Sequence, residues 1–280
     1  MRVTVLATPD PPPTGIPNPI HADAGATGAG YRGALVAGVR TYGWVADAVR
    51  EIAGSEWLAQ GWADITLRRP LYAGEVVAID LEGEPGVEPA TWTIRASVDD
   101  DRVVLDGRAG LGVAAWFDTI RVPTRTPAEP PPRVRPTYTL DDVPRRQPLR
   151  SLGAYVNTNA AVRLATEDLG RSETTLPGGA IHPWFLAARM APLTRHNFTY
   201  GPTIHVRTQI QHLAVAAANH EIVISAHIVD AYERNDHWYQ ILDGMVWDDT
   251  GLELARLKHT TIFRPRGTEV PPPIITEDGT

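Results

Sequence analysis

One helix-like segment followed by four strand-like runs occurs twice in this chain, about half a chain apart, and a repeat of that kind fixes the architecture before any single residue does. In the first copy, residues 33–52 place Leu35, Val36, Val39, Tyr42, Trp44, Val45, Val49 and Ile52 on more than one face of a helix. A helix that is apolar on most sides has to be wrapped by other structure. Residues 63–67, 77–82, 92–98 and 103–115 then alternate apolar and polar side chains, the period of half-buried strands. The second copy starts at residues 178–183, Gly-Gly-Ala-Ile-His-Pro, which echo residues 33–38, Gly-Ala-Leu-Val-Ala-Gly. Pro183 suits a first helical turn, where its missing N–H costs nothing. The helix continues through Trp184, Phe185, Leu186, Met190 and Leu193, with Pro192 expected to kink or end it. Alternating runs at 203–213, 221–229, 238–247 and 254–263 follow.

This pattern predicts an α+β protein in which two antiparallel sheets each wrap a central helix and pair edge to edge, hiding edges that would otherwise template aggregation. The expected units are residues 1–121, a proline-rich linker at 122–137, a second unit at 138–267 and a tail at 268–280. The linker composition favours an extended, semi-rigid spacer. The apolar stretch at residues 1–7 is too short for a signal core and reads as an edge strand. No apolar run approaches membrane-spanning length, so the expectation is a cytoplasmic protein with no membrane partner.

Composition removes several functions. The chain has no cysteine, which excludes disulfides, thiolate nucleophiles and zinc–thiolate sites. Its formal net charge of −7 disfavours nucleic-acid binding, because neutralising phosphates requires a basic surface. Arg68-Arg69 is one local basic candidate for an anionic carrier, with surface solvation as the favoured reading of the pair. No metal-binding helix, dinucleotide cradle, phosphate loop or nucleophile elbow is present, and no metal or resident cofactor is expected.

The chemistry concentrates in Asn18-Pro19-Ile20-His21-Ala22-Asp23, followed by Gly28-Ala29-Gly30-Tyr31 and by the start of the first buried helix. A turn of this kind puts an imidazole beside a helix N-terminus, where unpaired N–H groups can hold a developing oxyanion. These residues resemble the signature of the MaoC-like hydratases and dehydratases, the (R)-specific enoyl-CoA hydratase family, whose fold is the hot dog. Asn18, Pro19, Ile20, His21, Asp23 and Tyr31 match the pattern, and Gly38 stands where the family has its oxyanion glycine. The connection Arg69-Pro70-Leu71-Tyr72-Ala73-Gly74-Glu75 is similar as well. Two positions depart: Ile16 replaces the acidic partner of the histidine, and Ala37 replaces a second histidine.

The resemblance implies a double hot-dog protein acting on an acyl-CoA or acyl-carrier-protein thioester, with the carrier as the only cofactor-like group and a homodimer as a possible assembly. It implies His21 as base toward water, the Gly38 N–H at the thioester oxygen, and Asn18 and Tyr31 shaping the substrate site. Asp23 is the nearest replacement for the missing acid, since residues two apart in extended chain share a side, although an aspartate there is also suited to capping a turn or helix. Asp10 is a second replacement if its loop folds back through Pro11, Pro12 and Pro13. His182, at a helix start beside Pro183, reads as a capping or packing residue rather than a base. His205 shares an alternating face with Arg207, Gln209 and Gln211 and reads as solvent-facing, and His227 and His259 lie on separate strands. Three functions remain open: a hydratase or 3-hydroxyacyl dehydratase, a thioesterase, and a non-catalytic acyl-thioester binder with a decayed site.

Overall fold

The computed structural model describes residues 1–275 apart from 13–16, 85, 87, 88, 100, 174 and 175. Its first half contains β1 (Arg2–Leu6), a short turn of helix at Pro19–His21, α1 (Asp23–Gly28), α2 (Gly38–Ala53) and α3 (Trp57–Gln60). Strands β2 (Gly61–Leu67), β3 (Val76–Gly83), β4 (Thr91–Val98) and β5 (Arg102–Leu111) complete it. After β6 (Val134–Arg135), the second half runs through β7 (Leu152–Val156), α4 (Thr158–Ala165), α5 (Pro183–Ala187) and α6 (Met190–Asn197). It ends with β8 (Ile204–His212), β9 (His220–Arg234), β10 (His237–Asp248), β11 (Glu253–Arg264) and β12 (Ile274–Ile275).

Ten strands form one antiparallel sheet in the order β1-β3-β4-β5-β2-β8-β11-β10-β9-β7, while β6 and β12 make a separate ribbon. From either outer edge inward, each half has the same connectivity, and the halves meet where β2 pairs with β8, Ala63 opposite Ile210. The inner edge strands are therefore closed by each other, as the edge argument requires. One continuous apolar core joins both halves, with Tyr42, Trp44, Val45 and Val49 of α2 fully buried against strand residues such as Ile65, Ile79, Ile94 and Leu105.

Two local departures from the sequence expectation have physical causes. The first helix begins at Gly38 rather than at residue 33, because the preceding segment is held extended: Val36 N–H donates to Leu71 O, and Leu35 bridges to Tyr72. The second helix breaks between α5 and α6, upstream of Pro192. Pro192 cannot donate to the Ala188 carbonyl and would crowd it, so the helix stops there and restarts with Pro192 in the first turn of α6, where proline is tolerated. The proline-rich linker lies pinned to the second half: Thr126 Oγ1 lies 2.6 Å from Ser151 Oγ, and Glu129 N–H donates to Ser151 O at 3.0 Å. Among the described residues no helix is long and apolar enough to cross a membrane.

Candidate active site

The Asn-Pro turn folds as its residues dictate. Asn18 occupies the cap position with Pro19 as the first helical residue, and Ile20 buries its side chain against Ala26 and Leu35. The buried isoleucine anchors the turn and leaves His21 half-buried at its end. His21 Nδ1 lies 2.8 Å from Leu35 O and 3.0 Å from Asp10 Oδ2, two acceptors for one proton. On the other side, Asn18 is clamped to the Thr203 backbone: Thr203 N–H donates to Oδ1 at 3.0 Å, and Nδ2 donates to Thr203 O at 2.8 Å. That clamp fixes the amide's orientation and leaves Nδ2 facing His21 Nε2 at 3.2 Å. Both neighbours therefore specify a single neutral tautomer, with the proton on Nδ1 and the lone pair on Nε2, which is the form a general base needs.

The carboxylate beside His21 is Asp10. Both of its oxygens accept from Ala37 N–H, at 3.1 and 3.0 Å, so it caps α2 from a distance in sequence. Arg40, only 2% exposed, holds it there: Nη1 donates to Asp10 Oδ1 at 2.8 Å and to Thr8 O and Pro9 O, Nη2 to Thr8 Oγ1, and Nε to Asp168 O. Burial of Asp10 favours the protonated acid, but hydrogen bonds from His21, Arg40 and Ala37 together outweigh it and hold the carboxyl below its ordinary value. Asp10 is thus a carboxylate at neutral pH, suited to stabilising an imidazolium on His21.

Asp23, the nearer replacement in sequence, faces elsewhere. It is exposed, and its Oδ1 accepts from Ala34 N–H at 2.8 Å, pinning α1 to the extended segment before α2. Its place in the helical first turn of α1 turns it from His21, because the extended geometry assumed for residues 21–23 does not persist. Ile16 lies outside the described residues.

His21, Asn18, Tyr31 and Gly38 all line one cavity of about 310 Å³. Its walls come from both halves: Leu35 through Val39 and Thr41 around the start of α2, Leu67 on β2, Ala187, Ala188 and Ala191 at the break between α5 and α6, and Ile204, His205, His259 and Ile262 from the second half's strands. Exposed Arg68 and Arg69 also border it, Arg68 being paired with Asp106. Gly38 opens α2, so its N–H has no acceptor within the helix. A Cβ at this position would stand 2.8 Å from the Leu67 methyl groups and 2.9 Å from His205 Nδ1, so a larger residue has to displace those side chains.

The other histidines divide differently from the sequence expectation. His205 does not face solvent. A bulge in β8 opposite Thr260 and Thr261 skips Val206, so His205 shares the inner face with Thr208 while Arg207 points out to Asp64. Gln209 and Gln211 are buried too; Gln211 bonds the Gly61 and Gly112 carbonyls beneath the loop after β5. His259 and His227 are kept apart by the intervening strand, and His259 meets His205 instead, ring centroids 4.5 Å apart. His182 caps α5, its Nδ1 accepting from Trp184 N–H, with Nε2 3.1 Å from Asp47. Arg40, Thr41 and His205 were not selected by sequence reasoning. The signal for Arg40 was available: a lone cation among Val36, Val39 and Tyr42 in an apolar helix requires a buried partner. Among the described residues no cluster of three or more His, Asp or Glu is arranged to hold a metal.

No protein-family profile matches the chain, and no curated protein matches it by sequence. Solved structures do resemble it. A MaoC-like dehydratase superposes with a TM-score of 0.56 at 15% identity, over 88% of this chain and 89% of that one. A protein from Novosphingobium aromaticivorans assigned as a thioesterase gives 0.55 at 16% identity, over 94% and 95%. A Mycobacterium tuberculosis protein described as a double hot dog gives 0.54 at 14% identity, over 88% and 86%. The chain has the double hot-dog fold.

Proposed function

We propose that this protein is an acyl-thioester hydro-lyase, adding water to, or removing it from, the α–β bond of an enoyl or 3-hydroxyacyl thioester carried on CoA or an acyl carrier protein. The observation that carries this reading is the Asp10–His21 contact of 3.0 Å beside the cavity, which supplies the carboxylate missing at Ile16. In the hydration direction a water takes the place of Asn18 as donor to His21 Nε2. As its oxygen bonds to the β carbon, Nε2 takes one of its protons, and the α–β electron pair moves to make an enolate at the thioester oxygen. The imidazolium, balanced by Asp10, then returns that proton to the α carbon, so one water is consumed and the base is restored. The enolate oxygen is received by the Gly38 N–H at the positive end of α2.

The solved neighbours support this reading only at the level of the fold, since they include both a dehydratase and a protein assigned as a thioesterase. Purified protein mixed with crotonyl-CoA distinguishes the three open functions. Loss of the enoyl absorbance, abolished in His21→Ala, is the expected result. Release of free thiol from saturated acyl-CoA would replace this reading with a thioesterase, and binding without turnover across chain lengths would replace it with a non-catalytic binder.

A further inference from the structure

The cavity beside Gly38 contains two polar atoms that the scheme above does not use. Thr41 Oγ1, on a residue only 1% exposed, and His205 Nδ1 are both buried without a hydrogen-bond partner, and both residues line the cavity. Unpartnered buried polar atoms cost free energy and are uncommon in folded proteins. Here they flank the first turn of α2, His205 Nδ1 standing 2.9 Å from where a Gly38 Cβ would be. From the second half of the chain, His205 reaches the N-terminus of α2.

His205 is wired to a relay. Its Nε2 lies 2.6 Å from Thr208 Oγ1, which lies 2.7 Å from His259 Nδ1. A hydroxyl has one proton, so it donates to one imidazole and accepts from the other. When Thr208 donates to His205 Nε2, His259 Nδ1–H donates to Thr208 and the His205 proton sits on Nδ1, toward the cavity. An acceptor oxygen bound beside Gly38 selects this arrangement, in which both imidazoles carry their proton on Nδ1 and the Thr208 hydroxyl turns to His205, over the one in which both carry it on Nε2. Burial, and the neighbouring His259, hold His205 neutral, and burial lowers His259 to about 3. A neutral imidazole N–H is an effective electrophile toward a carbonyl oxygen.

We propose that His205 is a further catalytic residue, its Nδ1–H donating to the thioester oxygen alongside the Gly38 N–H, with Thr208 and His259 setting its tautomer and Thr41 Oγ1 completing the oxygen's surroundings. The oxyanion site is then composite, built from both halves of the chain. This inference rests on the acyl-thioester reading of the cavity, and its test separates the two.

The probe is 4-(dimethylamino)cinnamoyl-CoA, whose absorbance moves to longer wavelength when its carbonyl is polarised. Binding and spectrum are recorded with the full-length protein and with variants in the His21→Ala background, which prevents turnover. The expected result is a red shift with His21→Ala that is lost with His21→Ala/His205→Phe at retained binding, and partly restored with His21→Ala/His205→Gln, which keeps an N–H donor. In the otherwise native protein, His205→Gln lowers kcat by about 10-fold and His205→Phe by roughly 100-fold with little change in KM, the pattern of an oxyanion donor. An undiminished red shift in the His205→Phe protein overturns this assignment and leaves the acyl-thioester reading standing. Failure of the wild-type protein to bind the probe overturns both.

Discussion

Asp10 and His21 meet at 3.0 Å, and Arg40 fastens Thr8, Pro9 and Asp10 from beneath. Arg40 takes the Thr8 and Pro9 carbonyls together with Asp10 Oδ1, so the carboxylate is held from the side of α2.

Replacing Asp10 with Asn keeps the shape and removes the charge that supports an imidazolium on His21. Turnover of crotonyl-CoA should fall by about 100-fold or more, within the range for loss of acid–base assistance, with a smaller change in KM. The same substitution at Asp23, whose side chain accepts from Ala34 N–H, should leave kcat within about 3-fold and lower stability by ~1 kcal/mol at most, the usual worth of one hydrogen bond. Steady-state kinetics on the two variants side by side checks the assignment.

Arg40→Met should be costly to stability. It leaves Asp10 beside His21 but without its buried cation, and frees the carbonyls of Thr8, Pro9 and Asp168. Breaking a buried pair from one side typically costs about 3–5 kcal/mol. Denaturant melts of Arg40→Met and of the double variant Arg40→Met/Asp10→Asn measure it; the double variant should recover part of the loss, since no unpaired buried charge remains.

Acid should weaken the fold well above the carboxylate range. His212 and His259 are buried, and burial lowers each to about 3 from an ordinary value of 6.5. The unfolded chain binds their protons as pH falls below about 6.5 while the folded chain does not, so stability is full above that pH and declines below it until the folded groups protonate near 3. Each group contributes a slope of roughly 1.4 kcal/mol per pH unit at most. His259→Gln should therefore flatten the decline between about pH 6 and 4 by up to one proton's worth, read from urea midpoints across pH. Asp10 acts lower: its folded value is depressed, so its contribution is present above the ordinary value of 3.8 and is lost only as pH falls through that depressed value.

Gly38→Ala should collapse the cavity's polar end. The added methyl would meet Leu67 and His205 Nδ1 at 2.8–2.9 Å, and His205 must move to admit it. Turnover should fall by at least about 10-fold, with a stability loss of about 1–3 kcal/mol typical of overpacking, measured by kinetics and thermal melts on one preparation.

The fold was legible because its signal is periodic. Alternation located all eight long strands, and the apolar wrap of Tyr42, Trp44 and Val45 identified the central helix. What the pattern missed were breaks in periodicity: the β8 bulge that turns His205 inward, and the extended segment that delays α2 to Gly38. In the site, Asn18, His21, Tyr31 and Gly38 could be read locally because a short turn and a helix start carry them. Asp10 and His205 could not be selected over their rivals, because each is placed by tertiary contacts, Asp10 beside His21 through Arg40 and His205 in the cavity wall across the β2–β8 junction. Proximity in sequence favoured Asp23, and the helical turn of α1 decided otherwise.

The most direct test is the rate of crotonyl-CoA hydration by the wild-type protein and by His21→Ala, Asp10→Asn and Asp23→Asn under one set of conditions. The account predicts turnover that disappears with His21→Ala, drops about 100-fold or more with Asp10→Asn and survives Asp23→Asn. Turnover that survives Asp10→Asn but not Asp23→Asn, or no hydration by the wild type at any enoyl chain length, would contradict it.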